Sequence, residues 1–229
     1  MSSTEGATLP ILHLDEHLCA VLKPASMPAQ PDRTGDPSAL ELLRAQLNDP
    51  GIELVHRLDR PVSGVLLFAR DRESLRTLNN VFQQRGVEKT YVAIVEGVWE
   101  KGQVVLENNL AHDARSHKAR VTVEGKGALA RMEVRVLAKG ERLSLLELRP
   151  EGGAFHQIRA QLAAAGHPIR GDVKYGARRG EKDRSIALHA RSLAFHHPVD
   201  DQRVELVAPF RSDGVWVSLL KLADQGDAG

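Results

Sequence analysis

The sequence predicts an α+β protein built on a largely antiparallel sheet. Long strand-like runs follow one another with short turns between them, and few segments carry helical periodicity. No internal repeat, low-complexity stretch or Pro/Gly/Ser-rich linker divides the chain, so one domain is expected over residues 11–223, with flexible tails at 1–10 and 224–229.

Taken in order, Ile11–Leu22 reads as two strands around a turn at Asp15-Glu16-His17, and Lys23-Pro24-Ala25-Ser26-Met27-Pro28 breaks the run. Ser38–Leu47 spaces Leu40, Leu43 and Leu47 as a helix does, with Asp36 or Ser38 as cap and Asp49-Pro50-Gly51 as stop. Val65–Ala69 is uniformly apolar, the pattern of a buried strand. Asp71–Arg85 puts Leu75, Leu78 and Phe82 on one face of an amphipathic helix, with Gly86 expected to close it. Strands are then expected at Lys89–Gly97, Gln103–Glu107, Ala119–Glu124, Leu129–Ala138 and Arg142–Arg149. Phe155–Ala165 reads as a helix ended by Gly166, strands follow near Ser185–Phe195 and Arg203–Ala208, and a last helix spans about Gly214–Ala223.

Composition narrows the function classes. With 229 residues and a 42% hydrophobic share, the chain can bury one sizeable core. No run approaches the roughly 18 apolar residues of a membrane span. Met1 to Thr8 lacks the basic and apolar regions of a secretory leader, so a cytoplasmic location is expected. Cys19 is the one cysteine, which excludes an internal disulfide and a multi-cysteine zinc site. Its neighbours Leu18, Ala20 and Val21 mark it as a buried small hydrophobe. The net charge of +1 gives no global argument for nucleic acid, but arginines outnumber lysines by about two to one. Arginine suits bidentate phosphate and base contacts. Arg115, Lys118, Arg120, Lys126 and Arg131 form one basic cluster around Glu124; Arg178, Arg179, Lys182 and Arg184 form a second, interrupted by acids.

The most informative stretch is Val55-His56-Arg57-Leu58-Asp59-Arg60-Pro61, which leads into the buried strand. A carboxylate between two arginines, in a turn fixed by a strand, is held charged and directed. Such an acid can act as nucleophile or general base. The same residues also suit a turn cap paired with Arg57 or Arg60, and local chemistry alone leaves both open.

Three blocks settle on a family in this order: His56–Ala69; Lys89-Thr90-Tyr91-Val92-Ala93-Ile94-Val95-Glu96-Gly97; and His156-Gln157-Ile158-Arg159 through Gly166-His167-Pro168-Ile169, Gly171-Asp172 and Tyr175-Gly176. Together they resemble the RluA-type pseudouridine synthases, which isomerise uridine to pseudouridine in ribosomal or transfer RNA. Leu22-Lys23-Pro24-Ala25-Ser26-Met27-Pro28 is similar to that family's N-terminal motif, so the resemblance runs from about Ile11 to Phe210.

The resemblance implies the pseudouridine synthase fold, with Asp59 as catalytic aspartate, Tyr91 as active-site tyrosine and Arg159 as the cation paired with Asp59. Arg57 falls on the arginine that displaces the target base, and His156 supports the substrate pocket by hydrogen bonding. It implies an RNA partner, no membrane, no obligate protein partner, a monomer, and a catalytic domain without an S4-type RNA-binding domain. Where the family usually reads Gly-Arg-Thr-His-Gln, this chain has Gly153-Ala154-Phe155-His156-Gln157, and Val62 stands where threonine is usual. These departures fall at the pocket mouth, so no particular RNA is implied.

In the implied reaction a nucleotide is extruded from its stack, at a cost of a few kcal/mol. Its base is then detached at N1 and rejoined through C5. No electrons or groups are exchanged with a second reactant, so no cofactor and no metal are expected. One alternative is a catalytically inert RNA-binding protein on the same scaffold, which would not need Asp59, Tyr91 and Arg159 together. A metal hydrolase is disfavoured: His196 and His197 are adjacent and face opposite ways on a strand, and no His-Glu-x-x-His pattern occurs.

Overall fold

The computed structural model describes residues 8–123 and 125–226. The strands are β1 (Ile11–Leu14), β2 (Leu18–Lys23), β3 (Glu53–Leu54), β4 (Ser63–Ala69), β5 (Glu88–Glu96), β6 (Val104–Asp113), β7 (Lys118–Thr122), β8 (Ala128–Lys139), β9 (Leu143–Glu151), β10 (Leu188–His196) and β11 (Arg203–Val207). The helices are α1 (Ala39–Leu47), α2 (Arg72–Gln83), α3 (Gln157–Ala164) and α4 (Val215–Gly226), with a single 3-10 turn at Val173–Tyr175. The protein is therefore α+β, as expected. The chain divides into two compact units, Met1–Glu88 with Ser192–Ala208, and Lys89–Arg191 with Pro209–Gly229.

In the first unit β4 is the centre. Its seven residues are all buried, and it pairs antiparallel with β2 from Leu18↔Ala69 to Lys23↔Gly64. β1 flanks β2, β3 adds to β4, and β11 pairs antiparallel with the end of β10 from Ser192↔Val207 to His196↔Arg203. Alternate residues Leu18, Ala20, Val65, Leu67 and Ala69 pack with Leu78, Leu193, Phe195 and Leu206 in one core. Each large apolar side chain buried there contributes roughly 1.5–3 kcal/mol. The turn at Asp15–His17 is closed by the Asp15 carboxylate, which accepts from the His17 and Leu18 amides at 2.7 Å each.

Both helices of this unit begin on side-chain caps. Ser38 accepts from the Glu41 amide while the Glu41 carboxylate accepts from Ser38, a capping box that selects Ser38 over Asp36. Asp71 caps α2 through the Ser74 amide at 2.8 Å. The end of α2 corrects the expectation for Gly86. The Gly86 amide reaches the Val81 carbonyl and the Arg85 amide reaches Phe82, a Schellman pattern whose left-handed residue is Arg85, at φ 60. An L-residue pays about 1–2 kcal/mol for that conformation, less glycine's entropy. Arg85→Gly is therefore expected to raise stability by up to about 1 kcal/mol, read as a higher urea midpoint.

The second unit orders its strands β5-β9-β8-β6-β7, each neighbouring pair antiparallel. β6 runs on to Asp113, past the expected end at Glu107, because Asn108 and Asn109 sit inside a ladder with β8 that their composition hides. Leu110, Ala119 and Ala130, one from each outer strand, pack on Ala160 of α3. The segment after α3 folds back along β5: the Glu96 amide donates to the Pro168 carbonyl and the Arg170 amide to that of Ile94, at 2.9 Å each. This segment places Asp172.

Leu9 is buried, and Gln46 bonds its amide at 2.8 Å and its carbonyl at 3.0 Å; α4 continues to Gly226. Residues 1–7 and 227–229 of the expected tails, and the Glu124 end of the expected strand, lie outside the described residues.

Candidate active site

In the first unit Asp59 is half-buried, on the loop between β3 and β4. That loop is fixed at both ends. The Val55 amide donates to the Leu67 carbonyl, the Leu67 amide donates to His56 Nε2 at 3.1 Å, and the His56 ring stacks on Phe82. The Val62 amide closes a turn on the Asp59 carbonyl at 3.0 Å. Arg60 turns to a different loop, where it donates to the Ser26 carbonyl, to Thr34, to Asp32 and to Asp36. Arg57 is exposed.

The cation that sequence reasoning missed is Lys23. It is fully buried, and its Nζ donates to the carbonyls of Pro24 and Met27 at 2.8 Å and of Arg60 at 3.3 Å. Three acceptors match the three hydrogens of an ammonium, and they tie the Asp59-Arg60 turn to the end of β2. Burial brings the lysine down to about 7; the Asp59 charge pulls it back up and Arg60 opposes. The signal was present in the Leu22–Pro28 motif, where Lys23 had been given no part.

The unfolded chain keeps this proton to about pH 10.4, so between pH 7 and that point unfolding takes up a proton and rising pH favours the folded state. Wild-type stability is thus expected to gain relative to Lys23→Met by about 1.4 kcal/mol per pH unit there, measured by urea titration at pH 7.5 and 9.5. Parallel pH profiles would show that Lys23 does not titrate.

In the second unit Tyr91 lies near the start of β5, opposite Leu148 of β9, and is half-buried. Arg159 projects from α3 and is 6% exposed. It meets Asp172, 1% exposed, in a two-pronged pair: Nε to Oδ2 at 2.7 Å and Nη2 to Oδ1 at 2.8 Å. Its Nη1 lies 3.0 Å from His156 Nε2, and its guanidinium sits 5.0 Å from the centre of the Tyr175 ring. Sequence reasoning gave Arg159 no partner in this unit, although Asp172 and Tyr175 stood in the third block.

A guanidinium can only donate, so His156 Nε2 accepts and the hydrogen of the neutral ring is on Nδ1. Nδ1 then donates to the Tyr175 hydroxyl at 2.8 Å, which also accepts from the Ala119 amide at 2.7 Å. Both ring nitrogens of His156 are engaged, which suits a residue that orients Arg159. His156 itself adopts φ 52 at the foot of α3 and has no side-chain cap.

No helix among the described residues is long and apolar enough to cross a membrane. Cys19 is buried, and burial pushes its thiol up to about 11, consistent with a packing role.

Residues 17–164 match the RNA pseudouridylate synthase family. A ribosomal large subunit pseudouridine synthase C of Vibrio parahaemolyticus is 35% identical over 92% of this chain and 69% of its own length. A tRNA pseudouridine synthase C of Haemophilus ducreyi is 37% identical over 87% of this chain and 90% of its own length. Among solved structures, human RNA Pseudouridylate Synthase Domain Containing 1 superposes with a TM-score of 0.76 at 26% identity, covering 91% of this chain and 86% of that one.

Proposed function

Because the chain belongs to the RNA pseudouridylate synthase family and is therefore an RNA-modifying isomerase, we propose that it acts on a specific uridine in structured ribosomal or transfer RNA, with Asp59 starting the reaction. The observation that supports Asp59 most is its setting: a half-buried carboxylate on a loop pinned at both ends, with buried Lys23 bonded to the carbonyl of the next residue, Arg60. The relatives divide between ribosomal and transfer RNA by name, so both substrates are carried forward.

In this proposal the target nucleotide leaves its stack, and the Arg57 guanidinium occupies the space vacated, as unpaired bases and guanidinium planes stack on one another. Asp59 either attacks C1′ or stabilises the charge that develops there as the N1–C1′ bond breaks. The detached uracil turns against the flat face of Tyr91, whose hydroxyl can relay a proton. C5 bonds to C1′, breaking the C1′–Asp59 oxygen bond wherever one has formed, the C5 hydrogen leaves to solvent as a proton, and N1 gains a proton. Arg159, oriented by Asp172 and His156, is the cation assigned to the reaction of Asp59. The reaction balances without an external oxidant, reductant or group donor.

The expelled C5 hydrogen makes the test direct. Transfer RNA and large-subunit ribosomal RNA transcripts carrying tritium at uridine C5 are incubated with the full chain, and label released to water is counted. Release from at least one class, with the site mapped on that RNA, is expected. Retention of RNA on a filter with no release from either class would instead indicate an inert binder.

A further inference from the structure

Phe155 stands where the family usually has threonine, and it is 47% exposed, on the turn just before α3. A lone exposed apolar residue would need no explanation. This ring, however, belongs to an ordered series. It stacks on His156 with centroids 3.8 Å apart and planes 19° apart, and it meets His112 of β6 at 4.8 Å, edge to face. His112 faces His117 at 6.5 Å, and His156 meets Tyr175 at 5.5 Å.

The series is held from below. His156 cannot rotate without breaking its bonds to Tyr175 and Arg159, and it fixes the plane on which Phe155 lies. It is held from the side as well: Asp113 accepts from the Arg115 and Ser116 amides and from the Ser116 hydroxyl, ordering the turn that carries His117. Cations stand further along the series. Arg115 is exposed on that turn, and Lys118 approaches the Tyr175 ring at 6.0 Å. A rigid, half-exposed aromatic face in a series that carries cations on its neighbouring turn and strand is the chemistry that receives an unpaired base and its phosphate.

We propose that Phe155, backed by His156 and flanked by His112, is a stacking platform for an unpaired base of the bound RNA, with Arg115 and Lys118 meeting phosphates of the same strand. This rests on the RNA-modifying function proposed above and adds a substrate-recognition residue to it. Because the ring is already ordered, a base that stacks there gains contact without first immobilising a side chain.

The test uses the full chain with the same transcripts, in wild type, Phe155→Ala, Phe155→Leu and Phe155→Trp. Filter retention gives Kd, and label release gives kcat and KM. Phe155→Ala and Phe155→Leu are each expected to raise Kd and KM about tenfold, the loss that removing one base–aromatic stack produces, with kcat unchanged at saturating RNA. Phe155→Trp is expected to keep wild-type Kd and to gain indole emission that RNA quenches, beyond that of the buried Trp99 and Trp216.

Wild-type affinity in Phe155→Leu would overturn the platform, since leucine fills space but cannot stack. Tenfold weakening in Phe155→Trp with no quenching would also overturn it, as would a wild type that retains neither transcript. A wild type that binds RNA without releasing label would sink the isomerisation instead, and Kd would still judge the platform.

Discussion

Asp59→Ala is expected to lower release of C5 tritium by on the order of 10³-fold or more, while RNA retention on a filter stays close to wild type. The two readouts part because the proposed role of Asp59 is at the reacting sugar, whereas phosphate and stacking contacts elsewhere supply affinity. Asp59→Asn keeps the shape of the side chain and removes only its charge, so it separates misfolding of the loop from loss of chemistry. The loop itself has independent supports in the Val55–Leu67 and His56–Leu67 hydrogen bonds and in Lys23, so both variants should fold. Turnover within tenfold of wild type in Asp59→Asn would remove the carboxylate from the mechanism.

Asp172→Ala is expected to cost about 3–5 kcal/mol of stability, because it strands the Arg159 guanidinium in a buried site with two of its bonds lost. A urea or thermal titration measures this. The control is the double variant Arg159→Met with Asp172→Leu, which removes both charges and should recover much of the loss. That contrast distinguishes a buried charge left alone from simple loss of volume. The double variant should remain inactive in the tritium assay, since the proposed mechanism needs the guanidinium. A loss below about 0.5 kcal/mol in Asp172→Ala would mean the pair contributes nothing to the fold.

Much of this protein can be read from local pattern. The apolar run at Val65–Ala69 gave β4, leucine spacing gave α1 and α2, and Ser38 with Glu41 spelled out a capping box. The Asp59 loop stood out because charge, turn residues and a buried strand met within a few positions. What stayed hidden depends on distant contacts. Lys23 reads as an ordinary end-of-strand lysine until Arg60, 37 positions along, supplies a carbonyl to it. Asp172 gains meaning only when the segment after α3 folds back on β5 and meets Arg159. The close of α2 was misplaced by one position because glycine's conformational ease is a statistical cue. Here the backbone turned left-handed at Arg85 instead.

β7 ends the strand order of its unit, and an outermost strand with free amides invites other chains to anneal to it. Here the Ala119 amide is occupied by a phenol, and Lys118 and Arg120 place like charge along the margin. The hydroxyl that steadies His156 therefore also closes one amide of this outermost strand. Exchange of Tyr175 for phenylalanine would leave both that amide and His156 Nδ1 without their oxygen partner.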